Sequence, residues 1–343
     1  MKLIHLISMI GLGFLSIFPV VKVINLSDYA IAQNTDITNN QSLDAIVPLK
    51  DLNIPPATVT GETTVNLQRL ENSRVFTIPL NVGNIEGNFL LDTGASTTMI
   101  ASKLVQQLGL VGTAIKSEEL TSAVAGDDCE DMSAILHSLP LVKMNQVEVK
   151  QLQALEFTNT IIPQNLSGVL GMDVLRNFDL KINPKTQQLQ LLKPSLLPEN
   201  LQENAIILQE ELGVMLAAVK INNQGDFTFM LDTGADLIFI SQQLANQLRL
   251  NESGIEPIQI QGFCGLEDAN YSVLENVAIN QYQQQNLGVV ILNSPSVLDL
   301  LGIDGILGQN FFQFYQQHWR FYSNSNNNKS AGSLILESDI ESE

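Results

Sequence analysis

Two aspartates stand in matching surroundings in this chain, and a matched pair of carboxylates can do acid/base chemistry. Asp92 opens the run Asp92-Thr93-Gly94-Ala95, and Asp232 opens Asp232-Thr233-Gly234-Ala235. Each run follows an apolar segment, Phe89-Leu90-Leu91 or Phe229-Met230-Leu231. Each also precedes one, Thr98-Met99-Ile100 or Leu237-Ile238-Phe239-Ile240. A carboxylate set between two apolar strands is costly unless it serves a purpose. A reaction that deprotonates one group and protonates another uses two carboxyls in different protonation states.

The matching extends beyond the aspartates. The offset is 140 (232 − 92), and it carries Ile100 to Ile240, Leu104 to Leu244, Leu108 to Leu248 and Leu110 to Leu250. Downstream, Gly168-Val169-Leu170-Gly171 recurs as Gly305-Ile306-Leu307-Gly308 at an offset of 137 (305 − 168). Upstream, Ile78, Leu80 and Val82 alternate with less apolar residues, as do Ala217, Val219 and Ile221, and both predict strands with one buried face. Gly83-Asn84 and Asn222-Asn223-Gln224-Gly225 supply turns. After each Asp loop and its following strand, Leu104, Val105 and Leu108, or Leu244, Ala245 and Leu248, predict a short helix. Ser102 and Ser241 are its expected N-caps or starts, and Gly109 the first helix's stop.

These residues resemble the retropepsin-like branch of the aspartic proteases. The resemblance rests on Asp-Thr-Gly-Ala in both halves and on the later Gly-apolar-apolar-Gly segment, and covers residues 73–193 and roughly 207–322. It implies a mostly β fold: two tandem acid-protease lobes related by a pseudo-two-fold axis, with short helices after each active-site loop. It implies an aspartic endopeptidase in which Asp92 and Asp232 activate a water. A catalytically silent peptide-binding protein of the same fold is the alternative. Thr93, Gly94, Ala95, Thr233, Gly234 and Ala235 would support the loops, the threonines by bonding across to the opposite loop. Ala95 and Ala235 bring no hydroxyl to the outer carboxylate oxygens. Ser96, Asp236, Ala125, Gly126, Gly262 and Phe263 are the substrate-binding candidates, the last four as tips of flaps formed by one lobe or both. Met172 and Gln309 stand where the family places an arginine, and Asp173 reads as structural.

The organisation expected is 1–32 signal peptide, 33–72 flexible polar leader, 73–193 first lobe, 194–206 linker, 207–338 second lobe and 339–343 acidic tail. Residues 3–21 are largely apolar behind Lys2, and Ala30-Ile31-Ala32 offers a cleavage site. This predicts export to the periplasm or medium, with an uncleaved membrane anchor as the alternative. The leader is read as a spacer, with a pro-segment as the other reading. A formal net charge of −19 over 343 residues, without a Lys/Arg cluster, argues against nucleic acid as a partner. A polypeptide substrate and a monomeric protein are expected. No cofactor and no metal are expected: three histidines and two cysteines make no zinc-ligand pattern. Cys129 and Cys264 fall near the two flap tips, so either a disulfide between flaps or two free thiols would fit.

Overall fold

Apolar residues alternate along the strand Phe76–Val82, and the structure buries Ile78, Leu80 and Val82 while Asn81 faces solvent. The same holds for Val214–Ile221, where Val219 and Ile221 are buried between exposed Ala218 and Lys220. Each strand turns back on a partner, Ile85–Leu91 or Gln224–Leu231, that leads straight into an Asp loop. The second turn has Asn222 and Asn223 both at positive φ, the backbone a two-residue hairpin requires. The computed structural model describes residues 45–46, 54–115, 123–124, 133–157, 162, 165–250, 254–262, 265–293, 296–321 and 331–338.

The architecture is mostly β, with a few short helices. An 11-stranded sheet belongs to the first half and a 13-stranded sheet carries the second. In each half the Gly-apolar-apolar-Gly segment is a three-residue strand threaded between the strands that flank the Asp loop. Gly168–Leu170 runs parallel to Ile85–Leu91 and antiparallel to Met99–Ile100. Gly305–Leu307 repeats this between Gln224–Leu231 and Ile238–Ser241. The final glycine of each segment sits against the loop backbone: a Cβ on Gly171 would crowd Ala95 O and Thr97, and one on Gly308 would overlap Leu237 O. The spacing that first marked the repeat is therefore the spacing of a threaded strand.

The two halves share a sheet. Asp179–Asn183 of the first half pairs antiparallel with Tyr315–Phe321 of the second, which pairs in turn with Gly332–Ser338. One hydrophobic core runs from Val65 to Leu336 across both halves, and a smaller one lies behind the first Asp loop around Leu90, Met99 and Val169. Trp319 is fully buried in the shared sheet, beside Phe312 and Phe321, and its Nε1–H donates to Gln317 Oε1 at 3.0 Å. His318 packs on the opposite face, where burial first, then Arg320 and Lys181, push its pKa down to about 4.

Two expectations need correction. Part of the polar leader is ordered: Thr58–Thr60 pairs with Val147–Lys150, and Thr63–Asn66 with Gln188–Leu192, at the edges of the two large sheets. Its Thr and Val residues are β-branched and alternate buried with exposed at 63–66, which is strand chemistry beneath a polar composition. Ser102 is the first residue of the helix Ser102–Leu108 and not its cap; Ala101 holds that position without a side-chain bond. Ser241 does cap, accepting from Leu244 N at 3.1 Å, and Gly109 ends the first helix at φ 62°. Residues 1–34 and the tail 339–343 lie outside the described residues. Among the described residues no helix is long and apolar enough to cross a membrane.

Because Trp319 joins strands of both halves, Trp319→Ala is expected to weaken the whole molecule. Truncating so large a core side chain costs about 3–5 kcal/mol. Guanidinium unfolding should show one transition moved to lower denaturant with an unchanged slope. Two separated transitions would show the halves unfolding independently.

Candidate active site

The two Asp loops meet back to back. Asp92 and Asp232 are both fully buried, as are Thr93, Thr233, Ala95 and Ala235. Backbone N–H groups hold the carboxylates. Asp92 Oδ1 accepts from Gly94 N at 2.7 Å and Ala95 N at 3.0 Å. Asp232 Oδ1 accepts from Gly234 N at 2.7 Å. The Gly94 N–H also reaches Asp232 Oδ1 at 3.1 Å, so one donor bridges the two carboxylates. A Cβ on Gly94 would overlap the Asp232 carboxylate, and a Cβ on Gly234 that of Asp92. Glycine is therefore a steric requirement of each loop, imposed by the aspartate of the other.

The threonines lock this arrangement. Thr93 Oγ1 donates to Leu231 O at 2.8 Å and accepts from Thr233 N at 3.0 Å. Thr233 Oγ1 donates to Leu91 O at 2.8 Å and accepts from Thr93 N at 3.0 Å. Four buried hydrogen bonds thus cross between loops that are 140 residues apart.

Outside this inner ring the halves differ. Ser96 and Asp236 are equivalent positions (236 − 96 = 140). Asp236 is 2% exposed, and its carboxylate accepts from Ser73 Oγ at 2.8 Å, from the Arg74 backbone N, and from Arg74 Nη1 at 3.0 Å. That carboxylate is turned into the first half. Asp236 thus ties the halves together. Ser96 faces Gly213, at a contact where a Cβ on Gly213 would lie 3.1 Å from Ser96 Cβ. Ser73 and Arg74 were not singled out in the sequence. Their only local signal was a charged residue bordering the buried Val75-Phe76 pair.

Behind each loop the segment after the threaded strand returns to it. Met172 N donates to Ala95 O, and Gln309 N to Ala235 O, each at 2.8 Å. Gln309 adds a side-chain bond: its buried Nε2 donates to Thr233 O at 3.1 Å. Asp173 is bonded to Thr98. Its Oδ1 accepts from Thr98 Oγ1 at 2.6 Å and Oδ2 from Thr98 N at 3.0 Å, which fixes the exit of the first loop. Although one edge of Asp173 reaches solvent, desolvation outweighs these bonds and pushes its carboxyl up to about 6.

The second-half stretch expected to form a flap is an antiparallel hairpin, Glu256–Gly262 with Gly265–Ile279, in which Gly262 pairs with Gly265 at the end of the ladder. Phe263, Ala125, Gly126, Cys129 and Cys264 lie outside the described residues, so the remaining flap-tip positions and the disulfide call do too.

Two outcomes follow from the flanking groups. Arg74→Met leaves a buried carboxylate without its cation and should cost about 3–5 kcal/mol, whereas pairing it with Asp236→Leu should restore most of that loss. Denaturant midpoints of the single and double variants check this. For Asp173, the folded carboxyl keeps its proton to about pH 6, and an ordinary one titrates near 3.8. Its contribution to stability is complete below pH 3.8 and is lost as pH rises through about 6. Asp173→Asn, the residue type at the equivalent Asn310 (310 − 173 = 137), should therefore look better against the parent at pH 7 than at pH 4 in thermal melts.

Comparison with known families agrees with this duplicated arrangement. Residues 78–174 match the model described as "Aspartyl protease", and residues 217–313 the model described as "gag-polyprotein putative aspartyl protease". No curated protein gives a significant match. Each matched span includes one Asp loop and its threaded glycine strand, so the chain belongs to the retropepsin-like aspartyl proteases as two tandem domains fused in one polypeptide.

Proposed function

We propose that this protein is an aspartic endopeptidase whose working groups are Asp92 and Asp232. The observation that carries the reading is the single Gly94 N–H bridging two fully buried carboxylates. Two carboxyls this close do not both ionise, so the pair shares one proton and titrates as a unit. The ionised member takes a proton from a water, and the resulting nucleophile attacks the scissile carbonyl carbon. The protonated member gives its proton to the carbonyl oxygen, leaving a neutral gem-diol. Collapse breaks the C–N bond as a proton passes to the leaving nitrogen, and the dyad returns to its starting state. The chemistry uses only the two carboxyls and water.

The surroundings support this division of labour. The backbone donors fix both carboxylates before substrate arrives, so little reorganisation accompanies the charge shift. An extended polypeptide is the substrate class we propose, bound across the loops beneath the flap hairpin, by a monomeric enzyme. The apolar N-terminal segment and Ala30-Ile31-Ala32 favour action outside the cytoplasm, either released or held at the membrane by that segment.

Digestion of an unfolded protein by purified enzyme tests the proposal. Asp92→Asn and Asp232→Asn should each abolish hydrolysis, and the double variant should be no worse than either single one, because residues acting as one unit are non-additive. Near-parent turnover in either single variant would show that the two aspartates do not form one dyad. A parent protein that binds peptides and never cuts them would make it a binding module.

A further inference from the structure

Gln309 is fully buried and touches the second Asp loop twice. Its backbone N–H donates to Ala235 O at 2.8 Å, as the Met172 N–H does to Ala95 O. Its side chain adds a contact, with Nε2–H donating to Thr233 O at 3.1 Å. The peptide group that carries this carbonyl also carries the Gly234 N–H, which donates to Asp232 Oδ1 at 2.7 Å. The Gln309 amide, the Thr233–Gly234 peptide and the Asp232 carboxylate therefore form one chain of hydrogen bonds. Met172 is the equivalent residue of the first half (309 − 172 = 137), buried behind the other loop with a thioether and no side-chain N–H. It cannot extend the matching chain, which runs from the Thr93–Gly94 peptide to Asp92 Oδ1.

The direct donors to the two carboxylates are close to balanced. Asp92 Oδ1 accepts from Gly94 N and Ala95 N, and Asp232 Oδ1 from Gly234 N and, at longer range, from the shared Gly94 N. A peptide group whose carbonyl accepts a hydrogen bond is polarised and becomes a stronger donor, and a stronger donor favours the charged form of the carboxylate it serves. We propose that Gln309 is a positioning residue that breaks the symmetry of the pair, so that the single negative charge resides on Asp232 and the shared proton on Asp92. This rests on the endopeptidase reading and gives each aspartate a fixed part. Asp232 takes a proton from water as the water oxygen bonds to the carbonyl carbon, and the Asp92 proton passes to the carbonyl oxygen. Among the described residues, the other ionisable groups bonded to these loops or their exits are Asp236, paired with Arg74, and Asp173, bonded to Thr98. The Gln309 side chain is bonded to neither.

Gln309→Met gives the second half the residue type of the first and removes the amide N–H. Acid loss of activity is protonation of the singly charged pair, and alkaline loss is removal of its remaining proton. With the charge on Asp232, the acid step changes the charge of Asp232 and the alkaline step does not. Loss of the Gln309 donor should therefore move the acid limb of kcat/KM up by roughly half a pH unit and leave the alkaline limb in place. With the charge on Asp92 instead, the alkaline limb would move up and the acid limb would stay. A purely structural role would lower activity at every pH with both limbs unmoved. Either of these last two results would overturn the proposal.

A titration that needs no cleavage separates this proposal from the endopeptidase reading. Carboxyl-carbon NMR of the Asp92→Asn protein follows Asp232 alone, and that of the Asp232→Asn protein follows Asp92 alone. Asp232 should lose its proton at lower pH than Asp92. Adding Gln309→Met should raise the Asp232 midpoint and leave that of Asp92 in place. Equal midpoints, or the reverse order, would overturn the proposal even if peptide bonds are cut normally. The expected order would uphold the assignment of charge even if none are cut. If Gln309→Met does not fold, the order of the two midpoints with Gln309 in place decides.

Discussion

Everything in this fold answers to one constraint, the cost of holding two carboxylates fully buried against each other. Backbone N–H groups of Gly94, Ala95 and Gly234 donate to them and offset part of that cost. Such donors favour a charged carboxylate, and on the proposed reading one proton shared by the pair resolves the conflict between two neighbouring charges. Close approach of the loops removes any room for a side chain at positions 94 and 234. The reciprocal threonine bonds then fix that approach, each hydroxyl donating to the strand before the opposite loop and accepting from the opposite threonine's N–H. The threaded glycine strands serve the same end, since they fix the exit of each loop through Ala95 O and Ala235 O.

Fusion of the halves lets the supporting residues diverge. In a symmetric dimer, any residue that ties one side must appear on the other. Here Asp236 is held by Ser73 and Arg74, while its counterpart Ser96 meets the bare Gly213. Gln309 adds a side-chain amide to the second loop where Met172 fills space behind the first. Asp173 anchors Thr98, whereas Asn310 donates to Gly288 O. A buried ion pair is a modest stabiliser at best, because desolvation offsets much of its attraction. One such tie is enough when the peptide chain itself prevents dissociation. The inner ring tolerates no such divergence, because each loop is the other's wall.

The parts of this arrangement that were legible in the sequence are those with a local signature. Asp-Thr-Gly-Ala between apolar runs marks a loop joining two buried strands, and period-two burial at Ile78, Leu80 and Val82 marks a half-buried strand. The repeat supplied the remainder, since a second copy in the same context excludes coincidence. Arg74 was not legible, because its partner lies 162 residues away and nothing near it in the chain reveals a carboxylate. The leader strands were masked by composition. Asn, Gln and Thr read as polar spacer, yet Thr63–Asn66 completes a sheet edge whose partner, Gln188–Leu192, is remote in sequence. Ser102 misled because a serine beside an apolar helix face satisfies the capping pattern at either of two adjacent positions, and the backbone places the extended residue at Ala101.

Rigidity and access are divided between different parts of the molecule. The dyad is enclosed by cross-loop bonds, by a core common to both halves and by a sheet that passes from Asp179–Asn183 into Tyr315–Phe321. Displacing either aspartate would require breaking several buried hydrogen bonds at once, so the geometry of the two carboxylates is set by folding. The arms have the opposite character. The second-half hairpin extends to a glycine pair, with Leu266 beside it 42% exposed, and the first-half strand Ala123–Val124 draws its pairing from the leader. On the endopeptidase reading, selection among substrates falls to the arms, while the two aspartates are held alike for any peptide bond that reaches them.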